Sequence, residues 1–352
     1  MDQHQRICRP NHIIEFNFQS QIERDDPFGE VNVDLLVTCP DGSDQKVPGF
    51  WAGNTAWRTR YSSPQPGLYR WQTRCSDAND TGLHDQHGEF EIISNVEELN
   101  PLLQHGPIRV ASDRRHLEHS DGTPFLWLGD TWWMGLCRRL EWPDDVRELS
   151  SDRAAKGFNV IHLVAGLYPD MDPFDERGSG DGGFPWMENF SSINPAYFDA
   201  ADLRIAHLIR VGIVPCLVGF WGFFLDIAGE QKLKEHWRYL IARWGAYPVV
   251  WCVAGEALMP FYTSAAFKEM KQLLFRGEPW LPADRRRIWS NMARYIKKTD
   301  GHGRLVTIHP TRFGTDQVDD PTSLDLNWLQ TGHNGYPATE RAVDMTEKAL
   351  TQ

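Results

Sequence analysis

No stretch of this chain stays apolar for the ~20 residues that a membrane-spanning helix needs. The first residues, Met1 to Arg6, carry no apolar signal region. As written, the sequence reads as a cytoplasmic protein; a removed N-terminal leader would make it secreted or periplasmic. Lys/Arg-rich runs are also missing. With 48 acidic against 36 basic residues the formal charge is -12, so neither nucleic acid nor an anionic membrane is an expected partner. Cysteine is sparse and scattered, at positions 8, 39, 75, 137, 216 and 252, with no CxxC and no Cys/His cluster at zinc spacing. No metal and no cofactor is expected. Cys216 and Cys252 sit in apolar runs and read as reduced core residues, while Cys39 and Cys75 are the pair that a small β domain would let meet. Nothing in the sequence speaks to oligomeric state.

What is present is length and aromatic content. The 352 residues are 41% hydrophobic and include 15 Trp, 9 Tyr and 18 Phe. That is ample for a large core, and the length suggests two domains, or one large domain with an appendage. Residues 1–95 read as an immunoglobulin-like β-sandwich. Short strand patterns (Ile13–Phe18, Val31–Val37, Gln45–Trp51, Ala56–Tyr61, Leu68–Cys75, Glu89–Ile93) follow one another between turn signals such as Pro40-Asp41-Gly42-Ser43, with no helical periodicity. Trp51 and Trp57 are either sugar-stacking platforms or ordinary buried indoles, and burial is the commoner fate. Residues 96–124 are a junction with a short β lead-in.

From residue 125 to 352, strand and helix patterns alternate. Strands are expected at Phe125–Asp130, Asn159–Val164, Gly212–Gly219, Val249–Ala254, Arg304–His309 and Asp325–Gln330. Helices are expected near Asp144–Lys156, Pro195–Val211, Gln231–Trp244, Arg285–Thr299 and Thr339–Leu350. Near-continuous apolar strands separated by helices predict a parallel α/β fold, and a (β/α)8 TIM-type barrel rather than an open sheet. No Walker or GxGxxG loop follows the first strand, which counts against a nucleotide-binding sheet.

In such a barrel, function sits at the C-terminal strand ends. The run Val249-Val250-Trp251-Cys252-Val253-Ala254-Gly255 ends on Glu256, a carboxyl with no structural reason to close a buried strand. The bland alternative is a solvated Glu capping the next helix. Other strand ends carry Asp130 with Trp132 and Trp133, then His162, Trp221, His309, Gln330 and His333. Taken singly, Asp130 is as readily a helix cap, and His162 a hydrogen-bonded core residue. Together they form a rim of aromatics, amide, imidazole and carboxylate that suits a neutral polyol. Hydrolysis of a glycosidic bond needs two carboxyl groups, one of them protonated. Glu256 behind an apolar strand and near indoles fits the acid, because desolvation favours its neutral form.

Leu128-Gly129-Asp130-Thr131-Trp132-Trp133, Leu167-Tyr168-Pro169-Asp170, Trp251-Cys252-Val253-Ala254-Gly255-Glu256 and Gln330-Thr331-Gly332-His333 together resemble the apiosidase-like glycoside hydrolases. Residues 10–95 look like the β-sandwich that often precedes such barrels. The resemblance implies a glycosidase acting on a plant or microbial polysaccharide or oligosaccharide. It implies general acid/base catalysis at the end of strand four, here Glu256, where characterised apiosidases place an Asp. It also adds Tyr168 and Asp170 to the substrate-binding set of Asp130, Trp132, Trp133, Trp221, His309, Gln330 and His333. The family's second carboxylate belongs to strand seven, whereas six strands are legible here. From Phe125 to Gln352 there are 228 residues against the ~250 of a typical barrel. The expectation is a barrel cut short after about six strands, with the second carboxylate beyond residue 352. Two alternatives stand beside it: a non-catalytic carbohydrate-binding protein on a decayed barrel, and a metal-dependent barrel hydrolase using Asp130, His162, His309 and His333.

Overall fold

The computed structural model describes residues 6–94, 97–169, 171–259, 284–332 and 335–351. The first part is all β. Strands β1 (Arg6–Cys8), β2 (Ile14–Gln19), β3 (Val33–Thr38), β4 (Asp44–Pro48), β5 (Phe50–Trp51), β6 (Ala56–Tyr61), β7 (Gly67–Cys75) and β8 (His87–Ile92) make two sheets. One runs β1-β8-β7-β3-β4 and the other β2-β6-β5. Alternate residues of β2 and β3 turn inward, so that Ile14, Phe16, Phe18, Val33, Leu35 and Val37 fill the space between the sheets. The expected strand Gln45–Trp51 divides at Gly49, and its halves join different sheets. A Cβ at Gly49 would meet Thr59 Cγ2 at 2.9 Å, so the crossing requires glycine. Cys39 and Cys75 are free thiols. The register explains why: Cys75 lies opposite Val33 at one end of β3, and Cys39 follows the other end, roughly 20 Å along the strand.

A small antiparallel sheet follows, built of β9 (Ile108–Val110), β10 (Leu117–His119) and β11 (Pro124–Phe125). Then comes a five-stranded parallel sheet in sequential order: β12 (Gly129–Thr131), β13 (Val160–Val164), β14 (Val214–Val218), β15 (Val250–Cys252) and β16 (Val306–Thr307). Helices α1 (Asp144–Ala155), α2 (Pro195–Arg210), α3 (Phe224–Trp244), α4 (Arg285–Thr299) and α5 (Tyr336–Thr351) alternate with it. The Asn194 side chain caps α2 at Ala196 N, 3.2 Å, with Pro195 at its first position. α3 begins before the expected Gln231 because a preceding turn joins it across a kink at Gly229, φ 81°. Strands β13 and β14 are buried throughout, as a parallel sheet covered on both faces demands. No helix among the described residues is long and apolar enough to cross a membrane.

Two expected strands are corrected. The first is shorter than Phe125–Asp130. Pro124–Phe125 pairs with β10, and the Asn159 side chain takes over Leu128 N (2.9 Å) and Leu126 O (2.7 Å) where a ladder would have run. The sixth, Asp325–Gln330, is not a strand of the parallel sheet. Asp325 meets β16 at one point, through its own N on Val306 O and its carboxylate on Val306 N, both 2.8 Å. Beyond that the backbone turns to the loop after β16, where Phe313 and Leu329 form an antiparallel bridge. The insert 261–282 lies outside the described residues.

The parallel sheet curls. In a flat sheet β12 and β16 would stand about 19 Å apart, four strand spacings. Yet the Trp133 ring, just after β12, lies 5.3 Å from the His309 ring, just after β16. Curling of this kind brings all the C-terminal strand ends around one centre. The sandwich packs elsewhere, along α3 and at the opposite ends of β15 and β16. There Ser62 Oγ donates to Ala246 O (2.5 Å) and accepts from Arg304 Nη2 (3.5 Å).

Candidate active site

β15 is prolonged beyond Cys252 by hydrogen bonds to both neighbours. Val253 N donates to Thr307 O (2.8 Å), His309 N to Ala254 O (3.0 Å), and Gly255 N to Phe220 O (3.0 Å). Gly255 is a packing requirement: a Cβ there would stand 2.2 Å from Trp221 Cε3. The next residue, Glu256, has a left-handed backbone, φ 37°. For a side chain other than glycine such a conformation costs of order 1–3 kcal/mol and persists where its surroundings over-determine it. Its carboxyl end is buried, with the residue 5% exposed. Gln330 Nε2 donates to Glu256 Oε1 at 2.8 Å.

Gln330 and Trp328 are two apart on an extended segment and project to the same side. Trp328 stands edge-on to His162 at 4.2 Å between centroids, and also meets His309 (5.8 Å) and Trp127 (6.1 Å). Trp133 meets Trp221 (5.2 Å) and His309 (5.3 Å). Glu256, Gln330, Trp133, Trp221 and His309, all expected from sequence, therefore share one centre. Trp328 and Trp127 belong to it and were missed. Trp328 carried a usable signal, since it lies two residues before Gln330 on a segment already suspected.

Other expected residues are placed differently. Trp132 is 8% exposed, and its indole N–H bonds Asp130 Oδ2 at 3.2 Å, so it belongs to the core. Asp130 also accepts from Arg153 Nε (2.5 Å) and Thr131 N (2.8 Å). Partial burial pushes the Asp130 carboxyl up, but those hydrogen bonds prevail and hold it below its ordinary value. Asp130 is thus an ionised anchor for α1 and Trp132. Tyr168 is buried, its ring against Gly178. Asp170 and His333 lie outside the described residues. Among the described residues no group of three His, Cys, Asp or Glu is arranged to hold a metal.

Two buried imidazoles, His162 and His236, are kept neutral. Burial, then the nearby His309, pulls His162 down to about 3, against the opposing influence of Asp130. His236 on α3 is lowered to about 4 by burial, although its Nε2 faces the carbonyls of Ala165 and Gly219, each at 2.9 Å. Its Nδ1 accepts from Trp186 Nε1 at 3.1 Å, so protonation would set two N–H groups against each other. The unfolded chain takes up a proton near 6.5 that folded His236 refuses until about 4. This contribution to stability is present above that window and lost as pH falls through it. His236→Gln is expected to be less stable at pH 7 and to lose less stability than wild type between pH 6.5 and 4 in thermal melts. An unchanged slope rejects the assignment.

The catalytic-domain model of the apiosidase-like family matches residues 111–352. The chain belongs to the apiosidase-like family. A second family model, for a domain of unknown function named DUF5060, matches residues 8–76. No curated protein matches the chain. Among solved structures, a Bacteroides vulgatus protein assigned as a glycoside hydrolase is similar with TM-score 0.62 and 19% identity, over 88% of this chain and 57% of that one. A glycoside hydrolase family 5 protein from the same organism gives 0.52 and 22% identity, over 74% of this chain and 53% of its own. The apiosidase-like chain thus spans little more than half the length of either structure, and likeness at these identities speaks to fold alone.

Proposed function

We propose that this apiosidase-like chain is a glycoside hydrolase built on a (β/α)8-type barrel, with Glu256 as general acid/base. The observation that carries the reading is Glu256 itself: buried, held on a left-handed backbone at a parallel strand end, and hydrogen-bonded by Gln330. In this role Glu256 gives its proton to the leaving glycosidic oxygen and later takes one from water. Gln330, donating to Oε1, fixes the direction of the carboxyl plane. Trp133 and Trp328, with buried Trp221 edge-on to Trp133, offer the apolar walls on which a sugar ring stacks, and His309 offers a ring nitrogen to a hydroxyl. The reaction also requires a second carboxyl group. Asp130 is unsuited to that role, since its carboxylate is paired with Arg153 and bonded by the Trp132 indole. Release of reducing sugar across a panel of plant and microbial glycans tests the reading. Binding without release would favour a carbohydrate-binding protein.

The neighbouring tryptophans separate by role. Trp133→Ala is expected to weaken glycan binding about tenfold or more while the melting temperature moves little, because Trp133 is only half-buried. Trp132→Ala is expected to cost about 3–5 kcal/mol of stability, since it empties a core site. Isothermal titration and thermal melts on both variants check this, and equal losses of stability would remove the distinction.

A further inference from the structure

Between the sandwich and the outer face of α3 lies a cleft of about 400 Å³, within the range of small-ligand sites. The buried face of α3, with Trp237 packed 5.7 Å from Trp251, stands between this cleft and the strand that carries Glu256. Gln231, Glu235 and Arg238 reach the cleft from one stripe of α3, and Trp51 and Trp57 from the paired strands β5 and β6. Trp57 is 3% exposed, so it is no open platform. Its indole N–H finds no acceptor among the described residues, an omission that costs about 1–3 kcal/mol in a buried group. Trp51 is half-buried and doubly pinned. Its Nε1 donates to Asn54 O and its carbonyl accepts from Tyr239 OH, each at 2.8 Å. An aromatic face held in this way is ready for a ligand before the ligand arrives.

The charges of the cleft are already matched within the protein. Arg238 bonds Asp34 at 2.7 Å, and Glu235 bonds Lys232 at 2.9 Å. What the cleft offers is hydrogen-bonding groups beside an aromatic wall, without a surplus ion of either sign. Such a surface recognises a neutral polyol better than an anion or a cation.

We propose that this cleft is a second saccharide-binding site, remote from Glu256, with Trp51 as its stacking surface. The choice of a saccharide among neutral polyols rests on the glycosidase reading; the cleft and its chemistry do not. One part of a glycan held here would keep the rest near the strand-end site.

The test uses the full chain carrying Glu256→Gln, so that no glycan is consumed. It is run in native gels containing xylan, galactomannan, β-glucan or pectin at graded concentrations. Retardation is expected in at least one gel, and adding Trp51→Ala is expected to weaken it about tenfold. Glu235→Gln, on the solvent side of α3, is expected to weaken it too without touching the core. In the chain with Glu256 intact, Trp51→Ala is expected to leave hydrolysis of a small aryl glycoside unchanged. Absence of retardation in every gel, or retardation indifferent to both substitutions, overturns the proposal. If no aryl glycoside is cleaved and Trp51→Ala still abolishes retardation, the glycosidase reading falls and the cleft stands.

Discussion

Glu256→Gln is expected to lower turnover on an unactivated glycoside by roughly 10²–10⁴-fold, the usual contribution of a general acid. The replacement keeps the shape of the side chain and its oxygen for Gln330 Nε2, now at 2.8 Å from Oε1. It removes the proton that a poor leaving group needs. A glycoside with an activated leaving group, such as a nitrophenolate, departs without full protonation, so its cleavage should fall much less. Substrate binding should be largely kept, placing the loss in kcat. The left-handed backbone at residue 256 is inherited unchanged by Gln, so its strain does not confound the comparison. Wild-type rates in the variant on the unactivated substrate would remove Glu256 from catalysis. An equal loss on both substrates would point instead to a disturbed site.

Much of the parallel α/β part was legible because burial leaves a period in the sequence. Fully buried β13 and β14 read as apolar runs, and α4 begins and ends where its pattern does. Strand ends were less legible, because a period says nothing of what replaces the ladder. At Leu126–Leu128 an asparagine side chain 33 positions away from Leu126 takes the backbone groups, and at Asp325 a carboxylate does so. Neither substitution leaves a mark in the local alternation. The same limit applies to Trp132 and Trp133. Adjacent identical residues past a strand end point to opposite sides, and only the partner of the indole nitrogen, Asp130, tells which one is core. The centre of the rim was readable as a set of residue types, and Trp328, which touches both His162 and His309, was readable only through its two-residue spacing from Gln330.

Asp202→Ala is expected to destabilise the chain by about 3–5 kcal/mol, the cost of removing one partner from a buried ionic group. Asp202 on α2 is where the sandwich and the helices meet. It accepts from Arg60 Nη2 (2.6 Å) and Nη1 (3.1 Å), from Arg243 Nη2 (3.0 Å) and Nε (3.1 Å), and from Trp244 Nε1 (2.7 Å). Arg60 comes from β6 and is 6% exposed, while Arg243 on α3 is 0% exposed. Their attraction to Asp202 and Arg60's own hydrogen bond to Arg243 O, 2.8 Å, hold two like charges side by side. Burial opposes ionisation of Asp202, but Arg243 and Arg60 outweigh it and keep the carboxyl below its ordinary value. Without it, Glu15 still answers Arg60 at 2.9 Å and Asp199 still answers Arg243. Neither bridges the two guanidinium groups, so their repulsion is left uncompensated in a region that water and salt screen poorly. Loss should therefore appear first as loosening of the sandwich, measured as faster proteolysis between residues 93 and 107 and a lower melting temperature, with little relief from added salt. Asp202→Asn, which keeps an acceptor for Trp244 but not the charge, should fall between the two. A variant within about 1 kcal/mol of wild type, with unchanged proteolysis, would mean that Glu15 and Asp199 suffice and that the junction is held by its apolar contacts alone.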